Sequence, residues 1–303
     1  MTESLFATQA RLYAESSIGN GTPTGNIVDL PSFSAAASRQ TFRWEDRADA
    51  FRTKRAERQP IHVAYRLRTS HQVDTGLAAW IMTAHCFDRG SGQWDIRRLG
   101  MPEPSFTLQF ETEDGDVQEF RGCHIDEIQI SAPEGRAITL EISWHAMSRV
   151  TGTTLQTATQ TFTTPEAVST VESAATFITG SLTNRATDAI PVHSAEFVMS
   201  RDLELLQFGP DGQPDRARQA PWRCIAELVL PAGATTEAAL SGQTGAYGFW
   251  VGPASGELAL TSDNVKAYRD TEPLKSPELR DHSLTIEFRP DTTGRILNIA
   301  ATV

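Results

Sequence analysis

Between Glu119 and Trp144 apolar and polar residues alternate with a period of two. Ile128 and Ile130 fall on one side of a first arm. Ile138, Leu140, Ile142 and Trp144 fall on one side of a second, with Thr139, Glu141 and Ser143 opposite. Such alternation predicts two half-buried strands. The connector Ala132-Pro133-Glu134-Gly135-Arg136 has turn chemistry, because proline leaves a sheet ladder and glycine accepts positive φ. The pattern recurs along the chain. Ile61, Val63, Tyr65 and Leu67 share a face, as do Phe106, Leu108 and Phe110. Further strands are expected over residues 195–199, 224–230, 257–261, 282–288 and 296–303. One segment changes period: Val73, Leu77, Trp80, Ile81 and Ala84 have helical spacing and predict a helix over residues 74–86 lying on the sheet.

The remaining segments are weaker in pattern. Residues 7–18 have the length of a short helix, and Gly19-Asn20-Gly21-Thr22-Pro23 after them reads as loop. Residues 1–58 are therefore expected to form an arm. Eight of the fourteen residues from Thr151 to Thr164 are threonine, which suits extended, exposed chain or an edge strand. A short helix is expected over residues 165–177. Ser105–Phe110 followed by Gly115 echoes Ser283–Phe288 followed by Gly294. Duplication of two halves, 59–150 and 193–303, would leave such an echo; two hairpins obeying the same pattern rules are its commoner source. The fold class is mainly β: an antiparallel sandwich or barrel over residues 59–303, with a flanking helix, an extended N-terminal arm and a long loop.

Composition narrows the function. Hydrophobic residues make up 39% of 303, enough for a core. No apolar run approaches the roughly 20 residues that span a bilayer. The first residues have no basic segment followed by an apolar run, so a secretory signal is not expected. Three cysteines, far apart and odd in number, do not make a disulfide framework and fit a reducing compartment. The net charge of −11 argues against nucleic-acid binding by the whole chain. It is uneven: residues 39–68 hold nine Lys/Arg against four acids, a balance of +5 that leaves −16 to the rest. A basic segment on an acidic body can pair with further copies of the chain; the plain alternative is a solvated charged hairpin. Within it, arginines lie beside the aromatics Phe42, Trp44 and Phe51, a mixture suited to interfaces.

Chemical sites do not emerge. There is no metal-ligand spacing, and Cys123 and His124, being adjacent, point to opposite faces of a strand. No nucleophile elbow or phosphate-cradling glycine loop is present. Neither a cofactor nor an enzymatic activity is expected. Glycines and aromatics over residues 242–256 suit either a packed turn or sugar binding.

Three stretches carry a family resemblance. Tyr13-Ala14-Glu15-Ser16-Ser17-Ile18-Gly19-Asn20-Gly21-Thr22-Pro23 resembles an A-x-E-x-x-x-G-T-P opening, with Asn20-Gly21 as an extension. Phe120-Arg121-Gly122-Cys123 through Trp144 resembles an aromatic-x-Gly-Cys strand, hairpin and amphipathic return strand. His193 to Leu203 stands in the place of a strand followed by an Asn-Asn-Leu turn, with Arg201-Asp202 replacing the asparagines. In order and spacing the chain resembles the tail tube proteins of long-tailed, non-contractile bacteriophages. The resemblance implies a structural virion protein assembled in the host cytoplasm, a β-sandwich subunit closing into hexameric rings, and rings stacked into a hollow conduit. Duplicated versions form trimers. It further implies self-association, a tape-measure protein and a tail terminator as partners, DNA passing through the lumen without specific binding, and no membrane spanning. The basic segment is then the expected inter-ring contact, through Arg43, Trp44, Arg47, Phe51, Arg52, Lys54, Arg55 and Arg58. The alternative is a carbohydrate- or receptor-binding sandwich of a virion.

Overall fold

The computed structural model describes residues 2–5, 7–30, 33–42, 62–72, 80–82, 87–90, 93–97, 105–133, 138–161, 175–179, 190–208, 214–219, 221–230, 244–251, 258–269 and 282–301. In chain order the strands are β1 (Thr2–Leu5), β2 (Ala7–Glu15), β3 (Pro23–Asp29), β4 (Phe33–Phe42), β5 (His62–Gln72), β6 (Phe87–Gly90), β7 (Gln93–Arg97), β8 (Phe106–Thr112), β9 (Val117–Pro133), β10 (Thr139–Ala146) and β11 (Ser148–Thr151). They continue as β12 (Gln160–Thr161), β13 (Ala175–Thr179), β14 (Ile190–Pro191), β15 (Ser194–Ser200), β16 (Leu203–Phe208), β17 (Pro214–Gln219), β18 (Arg223–Leu230), β19 (Thr244–Val251), β20 (Leu258–Arg269), β21 (His282–Phe288) and β22 (Arg295–Ala301).

Strand β9 serves two sheets. Its first part pairs with β8 and β11; its second pairs with β10 and, over residues 127–133, with β15. The change falls at Gly122, whose φ is 61° and where a Cβ would lie 2.9 Å from the Met147 side chain. Only glycine fits there. One sheet runs β12–β3–β2–β8–β9–β11, antiparallel except at β12. The other is a long antiparallel sheet in the order β1–β4–β5–β10–β9–β15–β18–β21–β20. Aromatic edge-to-face contacts bridge the layers: Tyr65 to Phe120 at 5.7 Å and Phe106 to Trp144 at 5.8 Å between centroids. The fold is the mainly β sandwich that the alternation predicts.

The β9–β10 hairpin forms as its alternation predicts, Leu140 opposite Ile130 and Ile142 opposite Ile128. A bulge then skips Asp126, so that Trp144 faces Ile125.

The pairings repeat. In the N-terminal half β2 pairs with β3 and β8, β4 with β5, β5 with β10, and β9 with β8, β10 and β11. In the C-terminal half β13 pairs with β14 and β19, β15 with β18, β18 with β21, and β20 with β19, β21 and β22. The order along the chain is the same, and β20, like β9, is a long strand shared between layers. The halves meet edge to edge at β9 and β15, with seven residue pairs in register. Hairpin β16–β17, which pairs only with itself among the described residues, lies between β15 and β18 in the chain, as residues 43–61 lie between β4 and β5.

Several expectations are corrected. Residues 7–18 are not helical: they hold β2, with Ala10, Arg11, Leu12 and Tyr13 all buried. With both faces covered, no in-out alternation shows. Within the expected arm of residues 1–58, the described strands of residues 2–42 are paired in the sheets. Residues 175–177, assigned to a helix, lie in β13. Of the flanking helix over 74–86, residues 80–82 are helical and the others lie outside the described residues. The echo between Ser105–Phe110 and Ser283–Phe288 joins β8 to β21, which hold different places in the repeat. What they share is the turn that follows. Gly115 N–H donates to Thr112 O and Thr112 N–H to Asp116 O; Gly294 N–H donates to Asp291 O and Asp291 N–H to Arg295 O. Both glycines have φ near +80° (82° and 81°), so the echo is one local turn rule used twice.

Candidate assembly surface

The stretches that stand out in the sequence converge on β9. Glu15, at the end of β2, is buried and its carboxylate gathers five donors. They are Gly19 N–H at 2.7 Å, Gly21 N–H at 3.3 Å, Gly122 N–H at 3.0 Å, Thr107 Oγ1 at 2.7 Å and Ser105 Oγ. One side chain thus closes the loop after β2 and anchors it to β8 and to the glycine where β9 changes sheets. The next to Gly122, Cys123, donates its thiol to Phe120 O at 3.3 Å, and burial pushes the Cys123 and Cys224 thiols well up. Among the described residues no group of three or more His, Cys, Asp and Glu is placed to hold a metal.

Arg201 closes the third stretch on the same strand. Its guanidinium donates to Ile125 O at 2.9 and 2.7 Å and lies 4.3 Å from the Trp222 ring centroid. Its own N–H donates to Asp126 O at 3.0 Å, and Leu203 N–H to Asp126 Oδ1 at 3.2 Å. Arginine here thus clamps the β9 bulge to the end of β15 and stacks on an aromatic face. Beneath it lies His124, buried and facing His145 across the strands, with His145 Nε2 at 3.4 Å from Asp126 Oδ2. Burial, helped by Arg201 and His145, lowers the His124 pKa to about 4; burial alone lowers His71 to about 4. Unfolded histidine titrates near 6.5. As pH falls from 6.5 to 4 the unfolded chain therefore takes up these protons first, and stability drops through that window. The urea midpoint is expected to fall between pH 6.5 and 4, beginning well above the carboxylate range, and His124→Leu should flatten the fall. An unchanged slope in that variant would remove His124 as its source.

The long sheet has one apolar and one polar face. Inward lie Leu67, Ile128, Ile130, Leu140, Ile142, Phe197, Ala226, Leu228 and Ile286. Outward, successive strands present rows of polar residues in register. One row runs Ser131, Glu196, Glu227 and Thr285, placing two carboxylates directly opposite each other. Like charges opposed across strands are destabilising, and Gln129 Nε2 offsets part of the cost by donating to Glu196 Oε1 at 2.8 Å. Another row, toward the other end of these strands, holds Arg68, Ser143, Glu127, Ser200 and Arg223.

Of the residues expected to make contacts between copies, Arg43, Trp44, Arg47, Phe51, Arg52, Lys54, Arg55 and Arg58 lie outside the described residues. Their chain position is defined by its ends: Phe42 and His62 are a cross-strand pair, so residues 43–61 connect β4 to β5. The glycine-aromatic segment, considered as a sugar-binding loop, contains strand β19, paired on both edges. The threonine-rich segment after β11 crosses the outer face of β2 and β8, where Gln156 N–H donates to Gln109 Oε1 at 2.9 Å and Arg11 Nε to Gln156 O at 3.2 Å.

Glu15 and Arg201 carry roles that periodicity does not expose. Glu15 sits in the stretch Tyr13–Pro23, but its five partners come from three separate segments.

A family model described as phage tail tube protein matches residues 8–290 of the chain. No curated protein matches it significantly.

Proposed function

The chain belongs to the phage tail tube protein family, and from that membership we propose that it self-assembles into rings that stack as a hollow conduit for genome DNA. As a member it is a structural component of the virion tail. The observation that carries the ring is the doubled pairing scheme. Two like sandwiches already stand edge to edge in one chain, joined by β9 and β15. Repeating that junction between chains extends the sheet around an axis. Three chains then supply the six positions that six single-sandwich subunits would fill. Assembly takes place in the host cytoplasm, with a tape-measure protein in the lumen and a terminator at the end of the tube.

The polar face of the long sheet is the natural lining. Its glutamates, and the net charge of −11, would repel phosphate and let DNA slide. Replacing Glu196 and Glu227 with lysine is expected to make assembled tubes retain double-stranded DNA at low salt and release it as salt rises. Tubes of the two proteins that retain DNA equally would place this face elsewhere. The basic connection 43–61 and hairpin β16–β17, which hold equivalent places in the chain order of the two halves, are then the contacts to the next ring. Charge reversal of Arg52, Lys54 and Arg55 to glutamate is expected to leave rings but shorten or abolish tubes; tubes of full length would release that segment from the role.

Negative-stain microscopy of the pure protein at high concentration is the direct test. Rings or tubes with sixfold modulation and the mass of three chains per ring are expected. A particle of single-chain mass at every concentration would overturn the proposal.

A further inference from the structure

We infer that strand β1 is an intramolecular cap on the sheet edge to which a second copy of this chain adds, and that its release gates self-association. The inference rests on the self-assembly reading above. By the doubled pairing scheme β4 is the counterpart of β15: each is followed by a connection and then pairs with the next strand of the long sheet, β5 or β18. The free edge of β15 is covered by β9. The same edge of β4 is covered by β1, with Thr2 opposite Ser38, Glu3 opposite Ala37, Ser4 opposite Ala36 and Leu5 opposite Ala35.

The registers superpose. Ala37 faces Leu67 on β5, which faces Trp144; Phe197 faces Ala226 on β18, which faces Ile286. Matching Trp144 with Ile286 matches Ala37 with Phe197, so β1 on β4 occupies the place of Gln129 to Ala132 on β15. The strand corresponding to β9 in the second half is β20. Among the described residues its pairing with β19 ends at Thr244 opposite Lys266, and Ala267, Tyr268 and Arg269 pair only with β21. That β20 edge, on a second copy, is the occupant the repeat assigns to β4.

The lengths make the cap displaceable. β1 offers four residue pairs, whereas the internal junction has seven. Cross-strand pairs add stability in proportion to their number, so a neighbouring chain that repeats the seven-pair internal junction on β4 outcompetes the four-pair cap once its concentration is high. At low concentration the short strand, with Glu3 on it, keeps an open edge from templating indiscriminate pairing.

The test uses the full chain, a variant lacking residues 1–6 with a new start methionine, and Ser4→Cys/Ala36→Cys in a Cys86→Ser background. The last joins β1 to β4 when oxidised and frees it when reduced; Cys123 and Cys224 are buried and do not compete. Assembly is followed by light scattering and sedimentation across concentration. Truncation is expected to lower the critical concentration about tenfold, and oxidation to block assembly reversibly. Should the oxidised chain assemble as readily as the reduced one, the cap is overturned while the tube reading stands. Should none of the three proteins associate, the tube reading falls and the cap with it.

Discussion

Glu15→Ala is expected to lower unfolding stability by about 3–5 kcal/mol, the range for removing one side of a buried charged network. Its carboxylate accepts from Gly19, Gly21, Ser105, Thr107 and Gly122, and alanine leaves all five donors facing a void. Each unsatisfied buried donor costs roughly 1–3 kcal/mol, less where the loop can reach water. The two loop amides have that escape; Ser105, Thr107 and Gly122 do not. Glu15→Gln retains one acceptor oxygen and should lose about half as much. Urea denaturation of the chain under conditions where it stays unassembled measures both. A loss below about 1 kcal/mol for the alanine variant would show that the loop and β9 hold their shape without the carboxylate.

Trp144→Ala is expected to cost a similar amount, about 3–5 kcal/mol, by deleting a large side chain from a core that cannot close over the space. Trp144 is 1% exposed, meets Phe106 edge-to-face, and donates its indole N–H to Thr69 Oγ1 at 3.0 Å. Thr69→Val separates the two contributions. It keeps the volume but strands the indole N–H, at roughly 1–3 kcal/mol. If Thr69→Val proves neutral, the hydrogen bond is not part of what holds the layers together. Because Trp144 bridges the two sheets of the first sandwich and Glu15 holds the crossing point of β9, both variants should also fail to assemble at temperatures where the native chain does.

The strands with one wet face were legible. Glu141 and Ser143 alternate with Leu140, Ile142 and Trp144 because solvent meets one side of β10, and the same holds for β15 and β21. Strand β2 was not legible, since its outward residues Arg11 and Tyr13 are covered by residues 152–159 and by the loop after Glu15. A buried arginine and a buried glutamate then look like solvated ones. The bulge at Asp126 was equally hidden, because it answers to β9 leaving one sheet for another rather than to its neighbours in sequence.

From the order of residues alone came the β class, the facing of the central hairpin, the turns at Gly115 and Gly294, and the family likeness of three separated stretches. Each depends on neighbours within a few positions, where backbone sterics and a period of two act directly. The doubling of the sandwich, the meeting of those stretches on β9 and the capped edge of β4 came from tertiary pairing. A strand's partner is selected by which edges remain open after the rest of the sheet has formed. Many sequences satisfy the same in-out pattern, so two halves can share a pairing scheme without matching in their residues.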